Sequence, residues 1–182
     1  AATSVPGVVG YSAVDPCTPV LIGPLLDCDD AFGNDKSSAV FQANTFGLQI
    51  SISTEEDSGA VTRSVDTVRV RYGFQLRESI QLYFANGGGP CWVSSAGAYS
   101  SVDTSAITQL EGALDQLGLI DEVTLLVIPD ARILETQTLF GSLMDQALAQ
   151  CEETKDRFVI MDTYRSASKA DATAMRNTVG AN

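Results

Sequence analysis

The spacing of apolar and polar positions changes period once along the chain, near residue 73. Before that point apolar runs are short and bounded by turn residues. Gly7 to Tyr11 and Pro19 to Ile22 read as strands. Asp27 is placed to cap a short helix that runs to Phe32 and is ended by Gly33. The stretch from Asn34 to Gly59 is the least regular. Within it Phe46 to Ile52 alternates as a strand does, and Thr54 to Gly59 reads as a polar turn. Val61, Val65, Val68, Val70 and Tyr72 then alternate with Thr, Arg and Asp, the pattern of a half-exposed strand in an antiparallel hairpin.

After residue 73 the helical period takes over. Leu76, Ile80, Tyr83 and Phe84 fall on one face of a helix that Asn86-Gly87-Gly88-Gly89-Pro90 must stop. Cys91 to Ser95 follows as a strand. A helix is predicted from about Thr104 to Leu117, another from about Glu135 to Cys151 and a last one from Ala170 to Val179. Val123 to Ile128 is a near-continuous Val, Leu and Ile run closed by Pro129-Asp130, as in a strand covered on both faces. Phe158 to Met161 reads as a second buried strand ending at Asp162.

Strands near 91–95, 123–128 and 157–162, separated by helices, give a βαβαβ rhythm. The fold class expected is α/β: a parallel core with right-handed crossovers, plus an N-terminal β-rich, partly antiparallel region. Three parts follow: strands in 1–23 that pack on the core, a variable β-rich region or small inserted domain in 24–72, and an α/β core in 73–182.

Composition narrows the chemistry. The 182 residues carry a net charge of -12 and no His. Without His, neither a Ser-His-Asp nor a Cys-His pair can form within the chain, and no His-containing zinc site can. The acidic balance argues against nucleic acid and against an anionic membrane surface, and favours partners with basic patches. No apolar run approaches the roughly 20 residues a membrane span needs, so no membrane insertion is expected. Cys17, Cys28, Cys91 and Cys151 form no CxxC pair and read as reduced, mostly buried thiols of a protein made in the cytoplasm. Neither a basic segment nor a long apolar stretch opens the chain. Its ends, Ala1-Ala2-Thr3 and Gly180-Ala181-Asn182, read as those of a fragment.

Candidate sites are few. Gly87-Gly88-Gly89 follows a helix and precedes a strand, the reverse of a phosphate cradle, and reads as a tight turn. Asp130 and Asp162 close two core strands at the sheet edge where α/β proteins bind ligands. Paired there, they could hold Mg²⁺; separately, each starts a turn or caps a helix. Asp121-Glu122 and Asp156-Arg157 precede the two core strands, as rim ion pairs, subunit contacts or plain solvated charge. Trp92 beside Cys91 reads as core or interface packing, and Glu55-Glu56-Asp57 as a solvated turn. From these residues no catalytic, cofactor-binding or metal-ligating group is assigned, and no cofactor.

Three stretches together resemble one family. Tyr83-Phe84-Ala85-Asn86-Gly87-Gly88-Gly89-Pro90-Cys91-Trp92-Val93, Leu114 to Ala131 (LDQLGLIDEVTLLVIPDA) and Gln150 to Asp162 (QCEETKDRFVIMD) are similar, in order and spacing, to segments of contractile tail sheath proteins. Thr3 to Tyr11 is similar to the segment that follows that family's N-terminal arm. The likeness covers about residues 74 to 182, and residues 24 to 72 carry little of it. Such sheaths surround the inner tube of myophage tails, R-type pyocins and phage-like injection machines. The resemblance implies a structural, non-enzymatic subunit that stacks in hexameric rings around the tube and contracts to drive it through a target envelope. The implied partners are neighbouring sheath subunits, the inner tail tube protein, the baseplate and the tail terminator. The implied location is a virion tail or phage-like particle assembled in the bacterial host cytoplasm. The family's terminal arms have no counterpart here, so the resemblance also implies that these 182 residues do not build a sheath lattice unaided. Two other readings stay open: a surface or capsid-type module of a phage particle, and a Mg²⁺-dependent flavodoxin-like enzyme domain.

Overall fold

The computed structural model describes residues 4–33, 46–57, 60–99, 106–164, 169–177 and 179, with 46–57 and 60–72 described by backbone pairing alone. In chain order the elements are β1 (Val5–Ser12), β2 (Val20–Ile22), α1 (Leu25–Phe32), β3 (Phe46–Asp57), β4 (Ala60–Tyr72), α2 (Leu76–Ala85), β5 (Cys91–Ala98) and α3 (Ala106–Gly118). They continue with β6 (Val123–Val127), a 3-10 helix (Pro129–Ile133), α4 (Gln137–Thr154), β7 (Phe158–Ile160) and α5 (Lys169–Arg176).

The architecture is mixed α/β. A five-stranded sheet has the order β2-β5-β1-β6-β7, and β3 and β4 pair as a separate two-stranded sheet. β5, β1, β6 and β7 run parallel, and only β2, against β5, is antiparallel. The three expected core strands are present, but the two of them nearest in sequence are not neighbours. β1 lies between β5 and β6, with Val8 opposite Val93 on one side and Val127 on the other. Its run of buried residues from Pro6 to Ser12 is what a central parallel strand needs.

Helices cover the sheet from both sides. Val9, Val123 and Leu126 pack with Leu110, Leu114 and Leu117 of α3 and with Phe140, Leu143 and Met144 of α4. On the opposite face Val8, Cys91 and Val93 pack with Cys28 and Phe32 of α1 and Leu76 and Ile80 of α2. Each fully buried Leu or Phe contributes about 1.5–3 kcal/mol.

Local chemistry sets the helix ends. Thr136 caps α4 by accepting from the Leu139 N–H at 3.2 Å. At the end of α2, Gly87 has φ 83°. The Gly87 and Gly88 N–H groups donate to the Phe84 and Tyr83 carbonyls at 3.0 and 2.9 Å, a Schellman closure. Asp27 does not cap α1 as expected. The helix starts two residues earlier, and the Asp27 carboxylate reaches back to accept from the Gly23 N–H at 3.1 Å.

The hairpin is longer than its sequence suggested. Glu55 to Asp57 belong to β3, opposite Thr62 to Ala60, and are not a turn. The register shifts between Ser51 and Ile52, leaving Asp66 as an extra residue in β4. That bulge explains why the Val positions change parity between Val65 and Val68: it keeps both on the same face. Strand β7 also departs from expectation. Phe158 is 75% exposed and Ile160 55% exposed, because β7 is an edge strand and no described helix covers that face of it. Val123 and Leu126 of β6 are buried, whereas Leu125 and Val127 are half-buried. The helix start expected at about Thr104, residues 34–45 and residues 58–59 of the expected polar turn lie outside the described residues.

Candidate functional site

The carboxyl ends of β6 and β7 are where the Asp130–Asp162 reading can be tested. The structure does not bring them together. Asp130 sits in the 3-10 helix, fully buried. One carboxylate oxygen accepts from the Tyr11 N–H at 2.6 Å, and the other accepts from the Gln75 N–H. Asp130 therefore caps α2 from across the chain and ties that helix to the end of β1. Gly10 makes the approach possible, since a Cβ there would fall 2.5 Å from Asp130 Oδ2. Burial pushes the Asp130 carboxyl up to about 7, against the opposing pull of its backbone donors. Both carboxylate oxygens accept from backbone, so Asp130 serves as a structural anchor between β1 and α2.

Asp162 is exposed and pairs with Arg132 at 3.6 Å, both partly in solvent. Beside them lies a cavity of about 330 Å³, lined by Gln75, Ser79, Val127, Arg132, Ile160 and Met161 among others. Its walls are mostly apolar, and Asp130 is not among its lining residues. An open dish of about 420 Å³ lies beside the end of α2, at Ser79, Leu82, Tyr83 and Asn86. Among the described residues no group of three or more Cys, Asp or Glu is arranged to hold a metal ion. No helix among them is long and apolar enough to cross a membrane.

The remaining candidates resolve into packing. Gly88 lies against the Tyr83 ring, with which a Cβ would collide. The glycine turn is thus a helix C-terminus, whose exposed carbonyls disfavour anions. Glu122 is exposed and accepts from Trp92 Nε1 at 3.1 Å, and Trp92 packs against the larger core. Arg157 is not a solvated rim charge. Its side chain is 1% exposed and pairs with Asp156 at 2.7 Å. It also donates to the Leu117 and Ile120 carbonyls at 3.2 and 3.4 Å. Arg157 thereby adds a second donor to a carbonyl in the last turn of α3 and to one just beyond it, favourable for a cation against the helix dipole. Its hydrogen bond holds the Asp156 carboxyl below the ordinary value.

Sequence reasoning missed a second ion pair. Arg77 binds Asp29 through two hydrogen bonds of 2.7 and 2.8 Å and locks α1 to α2. Residues 48 apart carry no local signal for such a pair. The four cysteines are free; Cys28 and Cys91 are buried, Cys151 is half-buried and Cys17 is exposed. Burial raises the Cys28 thiol to about 11 and the Cys91 thiol to about 12, so neither is a reactive thiolate at neutral pH.

Comparison with known protein families and with curated proteins finds no match for this chain.

Proposed function

We propose that the chain is a structural subunit of a contractile tail sheath, acting by assembly around an inner tube and not by catalysis. One observation carries most weight beside the sequence resemblance. The sheet ends in an edge strand whose large apolar residues, Phe158 and Ile160, lie open. An exposed apolar edge is a liability in a free protein and an asset in one that is built into a lattice. The buried polar groups add support. Asp130, Arg77 and Arg157 are engaged in holding elements together, as a domain that moves as a rigid body requires. Contraction needs such bodies, because stored energy is released by re-pairing surfaces between two lattices. The partners on this reading are neighbouring copies, the tube protein, the baseplate and the terminator, and the place is the tail of a virion or phage-like particle.

Immunogold labelling with antibody to this chain tests the reading on particles from its source. Label at a regular axial repeat along contractile tails is expected. Label on capsids, or tails without label, overturns it and favours the surface-module alternative.

A further inference from the structure

The glycine turn after α2 carries a chemistry that its packing role does not use. Asn86–Gly87 is the sole Asn-Gly step in the sequence. In such a step the backbone nitrogen after the asparagine can attack the side-chain amide, because glycine places no Cβ beside it. Both residues are exposed, and a Cβ added at Gly87 would meet nothing within 4 Å, so water and hydroxide reach the pair freely.

The fold holds both reacting groups. Asn86 closes α2 with φ -97° and ψ 16°. Its side-chain amide donates to the Leu82 carbonyl at 2.7 Å, which turns the carboxamide back along the helix. The Gly87 N–H donates to the Phe84 carbonyl at 3.0 Å, and the Gly88 N–H to the Tyr83 carbonyl at 2.9 Å. An N–H that donates to a carbonyl holds its proton more firmly, and the nucleophile is the nitrogen that has lost it. The Tyr83 ring against Gly88 leaves the turn no room to shift on that side. Attack therefore requires that the last turn of α2 first open, an event a helix end samples far more often than the core.

We propose that Asn86 is a deamidation site gated by the end of α2. In the opened turn, hydroxide takes the Gly87 amide proton and the nitrogen attacks Asn86 Cγ. The N–Cγ bond forms as the Cγ–Nδ2 bond breaks, and Nδ2 leaves as ammonia, taking a proton from water. Water then adds to one of the two carbonyls of the cyclic succinimide and opens it to aspartate or isoaspartate, with no oxidation or reduction. Either product adds a negative charge to a chain already at -12. That charge falls at the negative end of the helix dipole, and the donor to Leu82 is gone. Isoaspartate also lengthens the backbone by one carbon, so the Gly87 and Gly88 N–H groups no longer reach both acceptors. The opened end does not reclose, and the reaction runs one way. The inference stands on this turn alone and does not need the sheath reading.

Mass spectrometry of the full chain, folded in buffer and unfolded in urea at the same mildly alkaline pH, tests it. Conversion is read in the digest fragment that carries residue 86, with enzymatic methylation marking isoaspartate. Asn86 is expected to convert at least about tenfold more slowly in the folded chain, since two hydrogen bonds must break before attack. Gly88→Ala, which forces the turn off the Tyr83 ring, is expected to convert at least about threefold faster than wild type while still folded. If that variant does not fold, wild type in sub-denaturing urea makes the same test, with conversion rising in step with hydrogen exchange at Gly87. Asn86→Asp carries the charge without the reaction and is expected to melt about 2–4 °C below wild type. Equal rates in the folded and unfolded chains, no conversion at Asn86 when unfolded, a loosened turn that reacts no faster, or an Asn86→Asp variant that melts where wild type does overturns the proposal.

Discussion

Replacing Asp130 by Asn separates two effects that the wild-type carboxylate combines. An amide oxygen can accept from one of the Tyr11 and Gln75 N–H groups, and its NH₂ then faces the other. An orphaned buried donor costs about 1–3 kcal/mol. The variant also cannot ionise. In wild type the folded-state value is raised from 3.8 to about 7, so the folded protein holds a proton that the unfolded chain has lost. Such a group stabilises fully below its unfolded value, and that contribution is lost as pH rises through the folded value. At about 1.4 kcal/mol per pH unit, wild type loses about 2–3 kcal/mol between pH 5 and pH 8 from Asp130 alone. Every other titrating group is common to both proteins, so their difference isolates this residue. Urea unfolding followed by circular dichroism at pH 5, 6, 7 and 8 is the assay. Asp130→Asn is expected to be less stable than wild type at pH 5 and to draw level with it by pH 8. Parallel profiles would refute the reasoning. A wild type that gains on the variant as pH rises would also refute it, because backbone donors would then hold the carboxylate ionised throughout.

Arg157→Ala removes the side-chain donor that the Leu117 and Ile120 carbonyls accept beside the Ile120 and Val123 N–H groups, and empties the space its buried side chain fills. A thermal melt is expected to show about 1–2 kcal/mol of lost stability, with Arg157→Lys recovering less than half, since an ammonium lacks the planar fork. Gly88→Ala pushes a methyl group into the Tyr83 ring and is expected to cost about 1–2 kcal/mol; unchanged stability would sink the close-packed turn. With a small aromatic disulfide reagent at pH 8, Cys17 is expected to react at once and Cys151 more slowly. Cys28 and Cys91 are expected to react only after denaturation, and a fast reaction at either contradicts their burial.

The elements of the second half were legible because each holds one strong period. The α3 run of Leu110, Leu114 and Leu117 and the Val123–Val127 strand needed no tertiary information. The arrangement was not legible in the same way. Nothing in Val5 to Ser12 says that the strand inserts between two others made much later. Nothing in Phe158 to Ile160 distinguishes a buried strand from an uncovered one, because apolar pattern reports preference and not coverage. At the candidate site, Asp130 was noticed from its position at a strand end, and the ligand and capping readings were indistinguishable there. What decides between them is the backbone of Tyr11 and Gln75, which spacing does not bring near. The Asp156–Arg157 pair was among the open readings, but the burial of Arg157 was not legible, because a charge before a strand is usually solvated and the acceptors at Leu117 and Ile120 are distant in sequence.

The central position of β1 also sets the order in which the protein can be completed. Its residues are made before the rest of the sheet, and its flanking strands are β5 and β6, whose paired residues lie some eighty-five and one hundred and twenty positions later. Until Ala98 is made β1 has two open edges, and one stays open until Val127 is made. The loops to be closed are long, which slows folding and prolongs exposure of a strand rich in Val and Gly. Each copy is therefore finished late, and the window in which its first strand can pair with the wrong chain is widest where many copies are being synthesised side by side.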